Sequence, residues 1–357
     1  MKILFISRAY PPIVGGIENQ NYELSIWLNE YLDVETIANK KGKKFLPFFL
    51  PFVSVLAVLE MRNYDALLLG DGVLGSVGWL VKLFYRKKPV ICVIHGLDLT
   101  YKMGLYQKLW VGFFLKKIDR FIAVGNETAR TALEKGFPKE KIVFIPNGVD
   151  TEKLIGNYSR KDLRDILKID LEGKKVILTS GRLAKRKGSA WFVENVMPKL
   201  PENIIYIIAG DGPDKENIQK AIEKNNLFSR VKMLGYVSDE IRNVLMNTCD
   251  IFIQPNIKIE GDMEGFGISV IEAASCKLPV VASKIEGLQD AIKDGENGFL
   301  VEPYNVNGYV EKITGLLADE KFRKDFGEKS RQYVIKNYKW DFIASKYADE
   351  IKKQINA

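Results

Sequence analysis

Two glutamates, Glu264 and Glu272, stand eight positions apart in the stretch DMEGFGISVIEAAS, with Gly265, Phe266 and Gly267 following the first of them. From Ile268 the pattern is helical, so Glu264 falls in a loop and Glu272 falls on the helix among Val270, Ile271, Ala273 and Ala274. A carboxylate in so apolar a stretch needs a partner. The vicinal diol of a ribose can supply one, donating two hydrogen bonds. Around Gly265–Ile268 the backbone can approach a ligand closely, with the free N–H groups of a helix start pointing outward. The competing reading makes Glu264 a complement to the helix dipole and Glu272 incidental.

Cationic chemistry is concentrated in TSGRLAKRKG, residues 179–188. A strand ends there, Gly181 permits a tight exit, and a helix starts near Gly188. Arg182 can grip a phosphate bidentately, whereas Lys187 acts as a point charge. A solvated basic loop is the alternative. In AGDGP, Gly210, Asp211 and Gly212 form a turn between a strand and a helix. The third glycine of a dinucleotide fingerprint is missing, so this is a structural turn or a loop near a nucleotide. His95, the sole histidine, ends an apolar strand in VIHGLD. It serves either packing or chemistry, and a histidine metal cluster is excluded by count. No two aspartates are spaced Asp-x-Asp. No such clamp can therefore bring a metal to a diphosphate, and its charge falls to Arg182, Lys187 and helix N-termini. YPPIVGGIENQ places Gly15 and Gly16 in another loop between strand and helix.

The elements that must position these residues alternate along the whole chain. Apolar runs at 3–7, 66–69, 90–94, 121–124 and 142–145 read as buried parallel strands separated by helical stretches. The pattern pauses at 145–156 and restarts with runs at 176–179, 204–209, 231–234, 251–254, 280–282 and 299–301. The fold class is α/β, with two doubly wound Rossmann-like domains facing a cleft. The alternation divides the chain into a first domain over 1–149 and a second over 150–338, with a helical stretch at 339–357 after it.

The 357 residues carry a net charge of +8. Residues 1–150 hold 20 Lys/Arg against 14 Asp/Glu, or +6, and the remainder 33 against 31, or +2. A basic first half suits an anionic partner; nucleic acid is disfavoured, because no binding motif for it is evident. Three scattered cysteines, Cys92, Cys249 and Cys276, read as buried thiols of a reducing cytosol. The N-terminus shows no signal peptide.

Taken in order, these motifs resemble the retaining GT-B glycosyltransferases of family 4, also called glycosyl transferases group 1. The matches are Gly15-Gly16, His95-Gly96, Asn147-Gly148-Val149-Asp150, Gly181-Arg182 with Lys187-Gly188, Gly210-Asp211-Gly212, the Glu264/Glu272 pair and ENGFLV at 296–301. EGDMEGFGISVIEA and HGLD are also similar to mannosyltransferases acting on phosphoinositides. The resemblance implies that Arg182 and Lys187 bind the donor diphosphate and Glu272 the donor ribose. It implies that Glu264 contacts hydroxyls of the transferred sugar beside the N–H groups of Phe266, Gly267 and Ile268. Gly16 would let its loop close on the diphosphate, and His95 would line the sugar site. Gly181, Gly210 and Asp211 belong to the same donor site. The resemblance also implies that the C-terminal helix returns to the first domain.

The expected activity is transfer of a hexose from GDP-mannose or a UDP-hexose to an acceptor hydroxyl, without metal or cofactor. The acceptor is a glycan or a lipid-linked envelope precursor. A nucleotide-sugar 2-epimerase is the alternative enzyme, though a single histidine speaks against it. A non-catalytic nucleotide-sugar binder is the third reading. KKGKKFLPFFLPFVSVLAVLEM, residues 40–61, poses a separate choice. It is too short, and too interrupted by Pro47 and Pro51, for a span. It is either a core helix or a basic, aromatic surface lying on an anionic bilayer. A cytoplasmic protein, peripheral to the membrane in the second case, is the expectation.

Overall fold

The structure, a computed structural model, describes residues 1–13 and 15–357; Val14, in the glycine loop after the first strand, lies outside them. The chain divides into two compact units. The first comprises Met1–Gly148, Gly261–Phe266 and Trp340–Ala357, and the second Val149–Glu260 and Gly267–Lys339.

The first unit is built on β1 (Lys2–Ser7), β2 (Asp33–Ala38), β3 (Ala66–Leu69), β4 (Val90–Ile94), β5 (Arg120–Ala123) and β6 (Ile142–Phe144). They form a parallel sheet in the order β2-β1-β3-β4-β5-β6. The apolar runs of β3 and β4 are buried along their whole length, as strands covered on both faces must be. Alternation along β1 sends Ile3 and Phe5 to one face and Leu4 and Ile6 to the other. The Leu4 face packs against α2 (Leu46–Glu60), α3 (Gly75–Phe84) and a π-helix at Gln107–Phe114. The Ile3 face packs against α1 (Gly16–Trp27) and the closing helix Trp340–Ile355.

Strand β2 has no counterpart among the expected runs. It lies at the sheet edge with Asp33 and Glu35 turned out and only Val34 buried. Its sequence DVETIA therefore lacks the apolar run that marked its neighbours. The helix α2 differs from expectation in another way. Pro47 sits in its first turn, where a missing N–H costs nothing, and Pro51 forfeits only one bond, so the helix continues through both. Of its residues only Phe49, Val53 and Ala57 are buried. It is thus half a core helix and half an exposed one.

The second unit contains β7 (Lys175–Ser180), β8 (Ile204–Ala209), β9 (Val231–Gly235), β10 (Ile251–Gln254), β11 (Val280–Ser283) and β12 (Phe299–Val301). Its parallel sheet runs β12-β11-β10-β7-β8-β9. Both sheets begin at an interior strand. The chain builds one side, then crosses back, between β1 and β3 in the first unit and between β7 and β10 in the second. At such switch points the loops at the carboxyl ends part and leave room for a ligand. All three cysteines are buried thiols, and burial raises the pKa of each, Cys276 to about 12.

Candidate functional site

In the first unit the switch point is flanked by the loops leaving β1 and β3. The β1 loop leads through Gly15 to Gly16, the first residue of α1, beside which there is open space. The β3 loop is Gly70-Asp71-Gly72. Arg8, just past β1, donates from Nε to Asp71 Oδ1 at 2.9 Å, and the same oxygen accepts from Val73 N–H. Burial pulls the Arg8 guanidinium down, but the carboxylates of Asp71 and Asp98 outweigh it and hold Arg8 above its ordinary value.

His95 directly follows β4 next door. Its Nε2 lies 3.0 Å from the Gly70 carbonyl. A carbonyl can only accept, so Nε2 carries a proton and donates it to Gly70. Asp98 accepts from the His95 backbone N–H and, at 2.9 Å, from Gly72 N–H, joining the β4 loop to the β3 loop. Burial raises the pKa of Asp98, against the opposing pull of His95 and these N–H groups. Sequence reasoning passed over Arg8, Asp71 and Asp98. One signal was present: Gly-Asp-Gly follows an apolar strand both at 70–72 and at 210–212.

Residues 261–266 also belong to the first unit, although the sequence around them does not. Gly96 and Gly265 show how closely they fit. A Cβ on Gly96 would meet the Met263 sulfur at 3.0 Å, and one on Gly265 would come within 2.7 Å of the His95 carbonyl oxygen. Glu264 is buried in this segment, so the structure groups it with His95. The sequence had assigned it to the second domain. Phe266, the last residue of the segment, is buried too.

In the second unit, Gly181 leaves β7 with φ +134° and the exposed Arg182 follows. The Arg182 side chain has no carboxylate partner among the described residues. Lys187 is partly buried in a short 3-10 turn, Lys185–Lys187. Gly188 then takes φ +68°, and any Cβ there would overlap the Pro255 carbonyl of the loop after β10. Gly210 and Gly212 play the same part after β8, where a Cβ would overlap the carbonyls of Gly181 and Leu183. These glycines let the loops of β7, β8 and β10 nest together. Asp211 is exposed and accepts from Gly212 N–H.

Beyond β10, Gly267 adopts φ +91° and caps the helix Ile268–Ser275. Glu272 lies just past the first turn of that helix. Its side chain is 12% exposed, and among the described residues its one ion-pair partner is Arg242, at 3.8 Å. The carboxylate accepts no hydrogen bond among the described residues. Most buried polar side-chain atoms have at least one hydrogen-bond partner, so Glu272 retains acceptor capacity. The structure thus brings Gly181, Arg182, Lys187, Gly210 and Asp211 to adjacent strand ends. It puts Gly267, Ile268 and Glu272 on the strand-end helix across the switch point. Among the described residues no group of three or more His, Cys, Asp or Glu could hold a metal ion.

Two family models match the chain: "Glycosyl transferases group 1" over residues 159–333 and "Glycosyltransferase Family 4" over residues 18–153. A UDP-Gal:alpha-D-GlcNAc-diphosphoundecaprenol alpha-1,3-galactosyltransferase from Escherichia coli is 24% identical, covering 96% of this chain and 93% of its own length. An N,N'-diacetylbacillosaminyl-diphospho-undecaprenol alpha-1,3-N-acetylgalactosaminyltransferase from Campylobacter jejuni is 29% identical, covering 97% of both chains. The crystal structure of Anabaena HepE in complex with UDP superposes with a TM-score of 0.80 at 21% identity, covering 99% of this chain and 100% of that one.

Proposed function

From the premise that this chain belongs to the group 1, family 4 glycosyltransferases, which draw on nucleotide sugars, we propose that it transfers a hexose from a UDP-hexose or GDP-mannose to an acceptor hydroxyl with retention. One observation supports this reading above the others. A loop carrying Arg182 and Lys187 and a helix carrying the under-satisfied Glu272 flank the same switch point of the second sheet. Cations on one side and a free acceptor on the other suit a diphosphate joined to a ribose. A lipid-linked acceptor is favoured by the two undecaprenol-diphosphate relatives, and it would place the enzyme on the cytoplasmic face of a membrane.

In the proposed reaction the bond from the anomeric carbon to the donor phosphate oxygen breaks, and its electron pair stays on the diphosphate. Arg182 and Lys187 stabilise that growing charge without reorganising. The acceptor oxygen bonds to the anomeric carbon on the face the leaving group vacates, and its proton passes to the departing phosphate. Glu264 and His95 hold the sugar's hydroxyls, and Gly16 lets the β1 loop reach the diphosphate. Backbone N–H groups of Phe266, Gly267 and Ile268, with the Gly210-Asp211 loop, complete the donor site. Charge on the leaving group falls to side chains, so turnover is expected to survive EDTA. A double displacement through Glu264 is disfavoured because its role lies with the hydroxyls. Epimerisation would need more acid–base groups than one histidine provides.

The deciding measurement is release of nucleoside diphosphate, with UDP- and GDP-hexoses offered in parallel. Arg182→Ala or Lys187→Ala should lower kcat by roughly 10²–10³-fold in a folded protein. Glu272→Gln should mainly raise the donor KM, by roughly tenfold or more. Wild-type kinetics in all three variants, or conversion of the sugar nucleotide to an epimer, would remove the proposal.

A further inference from the structure

The exposed side of α2 is not explained by sugar transfer. Phe48, Phe52, Val55 and Leu59 are 71%, 65%, 57% and 63% exposed. At 100° per residue they fall on one stripe, opposite Phe49, Val53 and Ala57 in the core. By length and composition the helical stretch Lys43–Asn63 could cross a membrane. Its buried residues tie it lengthwise to the first unit instead. The π-helix and α3, packed on the same side of the sheet, add exposed Phe113 and Phe84, and the short turn leading into the π-helix adds Leu105.

The charge beside this apolar material is mostly positive, with Glu60 at the far end of α2 as an exception. Residues 40–59 contain four lysines and no Asp or Glu, and residues 99–118 likewise contain four lysines and no Asp or Glu. Lys40, Lys41, Lys43 and Lys44 are all exposed at the start of α2. A second copy of the chain would set lysines against lysines. An anionic surface accepts both features, since lysines meet headgroups while aromatic and aliphatic side chains enter the acyl boundary.

We propose that this layer of the first unit docks on an anionic lipid bilayer, with α2 lying in the interface plane and Phe48, Phe52, Val55 and Leu59 inserted. It deepens the membrane side of the proposed function and rests on that reading only for the acceptor. Vesicle binding is read without any sugar transfer, so the two ideas fail separately.

Flotation of the full chain with vesicles of phosphatidylglycerol and phosphatidylcholine tests it, beside vesicles of phosphatidylcholine alone. The wild type should float with the anionic vesicles at low salt and be released at high salt. Phe48→Ser/Phe52→Ser should weaken binding by about tenfold or more. Lys43→Glu/Lys44→Glu should do the same on the anionic vesicles, each lysine being worth roughly fivefold there. Nucleoside diphosphate release with a water-soluble acceptor should be unchanged in both. No flotation of the wild type, or equal flotation of wild type and the lysine variant, overturns the proposal. So does a wild-type dimer that the serine variant dissociates without any vesicle binding. If the serine variant aggregates, the lysine variant alone decides.

Discussion

Asp98 and Glu272 are both carboxylates in apolar surroundings, and what completes them differs. Asp98 is closed, with two backbone N–H groups filling its oxygens and its pKa raised by burial. Glu272 is open, with a distant arginine and no hydrogen bond among the described residues. Only the second has anything left to offer a ligand. Asp98 makes its own prediction. Its folded pKa lies above the unfolded value of about 3.9, so the folded chain binds the extra proton. Stability should therefore fall as pH rises through that raised pKa, and Asp98→Asn should flatten this limb. Urea midpoints measured from about pH 4 to 7 check it; parallel curves for both proteins would contradict it. The sequence showed Glu272 because a charge among alanines is conspicuous. It hid Asp98, because an aspartate three residues after His95 looks like any helix-start acid.

At the scale of elements, neighbours on one helix should behave as opposites. Phe49→Ala removes a core side chain of α2 and should cost about 3–5 kcal/mol. Phe48→Ala, one position away on the exposed stripe, should change stability by about 0.5 kcal/mol or less. Thermal unfolding of the two variants gives the comparison, and equal losses would mean that α2 is seated differently. Interior strands were legible because burial on both faces demands uninterrupted apolar runs. Edge strand β2 was not, since a strand with one sheet neighbour can afford Asp33 and Glu35. Composition fixed that α2 was apolar. Which of its apolar residues met the core depended on packing from α3, and no local pattern carries that information.

For the molecule as a whole, the closing helix Trp340–Ile355 is part of the first unit's core rather than a tail. Trp340 is buried against Gly148, and Arg120 pairs with Glu350 at 2.6 Å. Trp340→Ala should lower stability by about 3–5 kcal/mol, read as a drop in Tm; an unchanged Tm would show that the helix is dispensable. The doubling of the α/β pattern was visible in the alternation of runs. The return of residues 261–266 to the first unit was not, because nothing local in EGDMEGFG distinguishes a segment that leaves its unit from a plain loop.

That return has a practical consequence for exchanging parts between relatives. The polypeptide passes from one unit to the other at 148/149, 260/261, 266/267 and 339/340. A chimera that grafts residues 149–339 as one cassette imports a foreign six-residue patch into the recipient half, beneath His95. A faithful swap needs splices at all four places. A simple two-splice hybrid that folds but turns over poorly would point first to Gly96 and Met263, where host and donor sequences must fit.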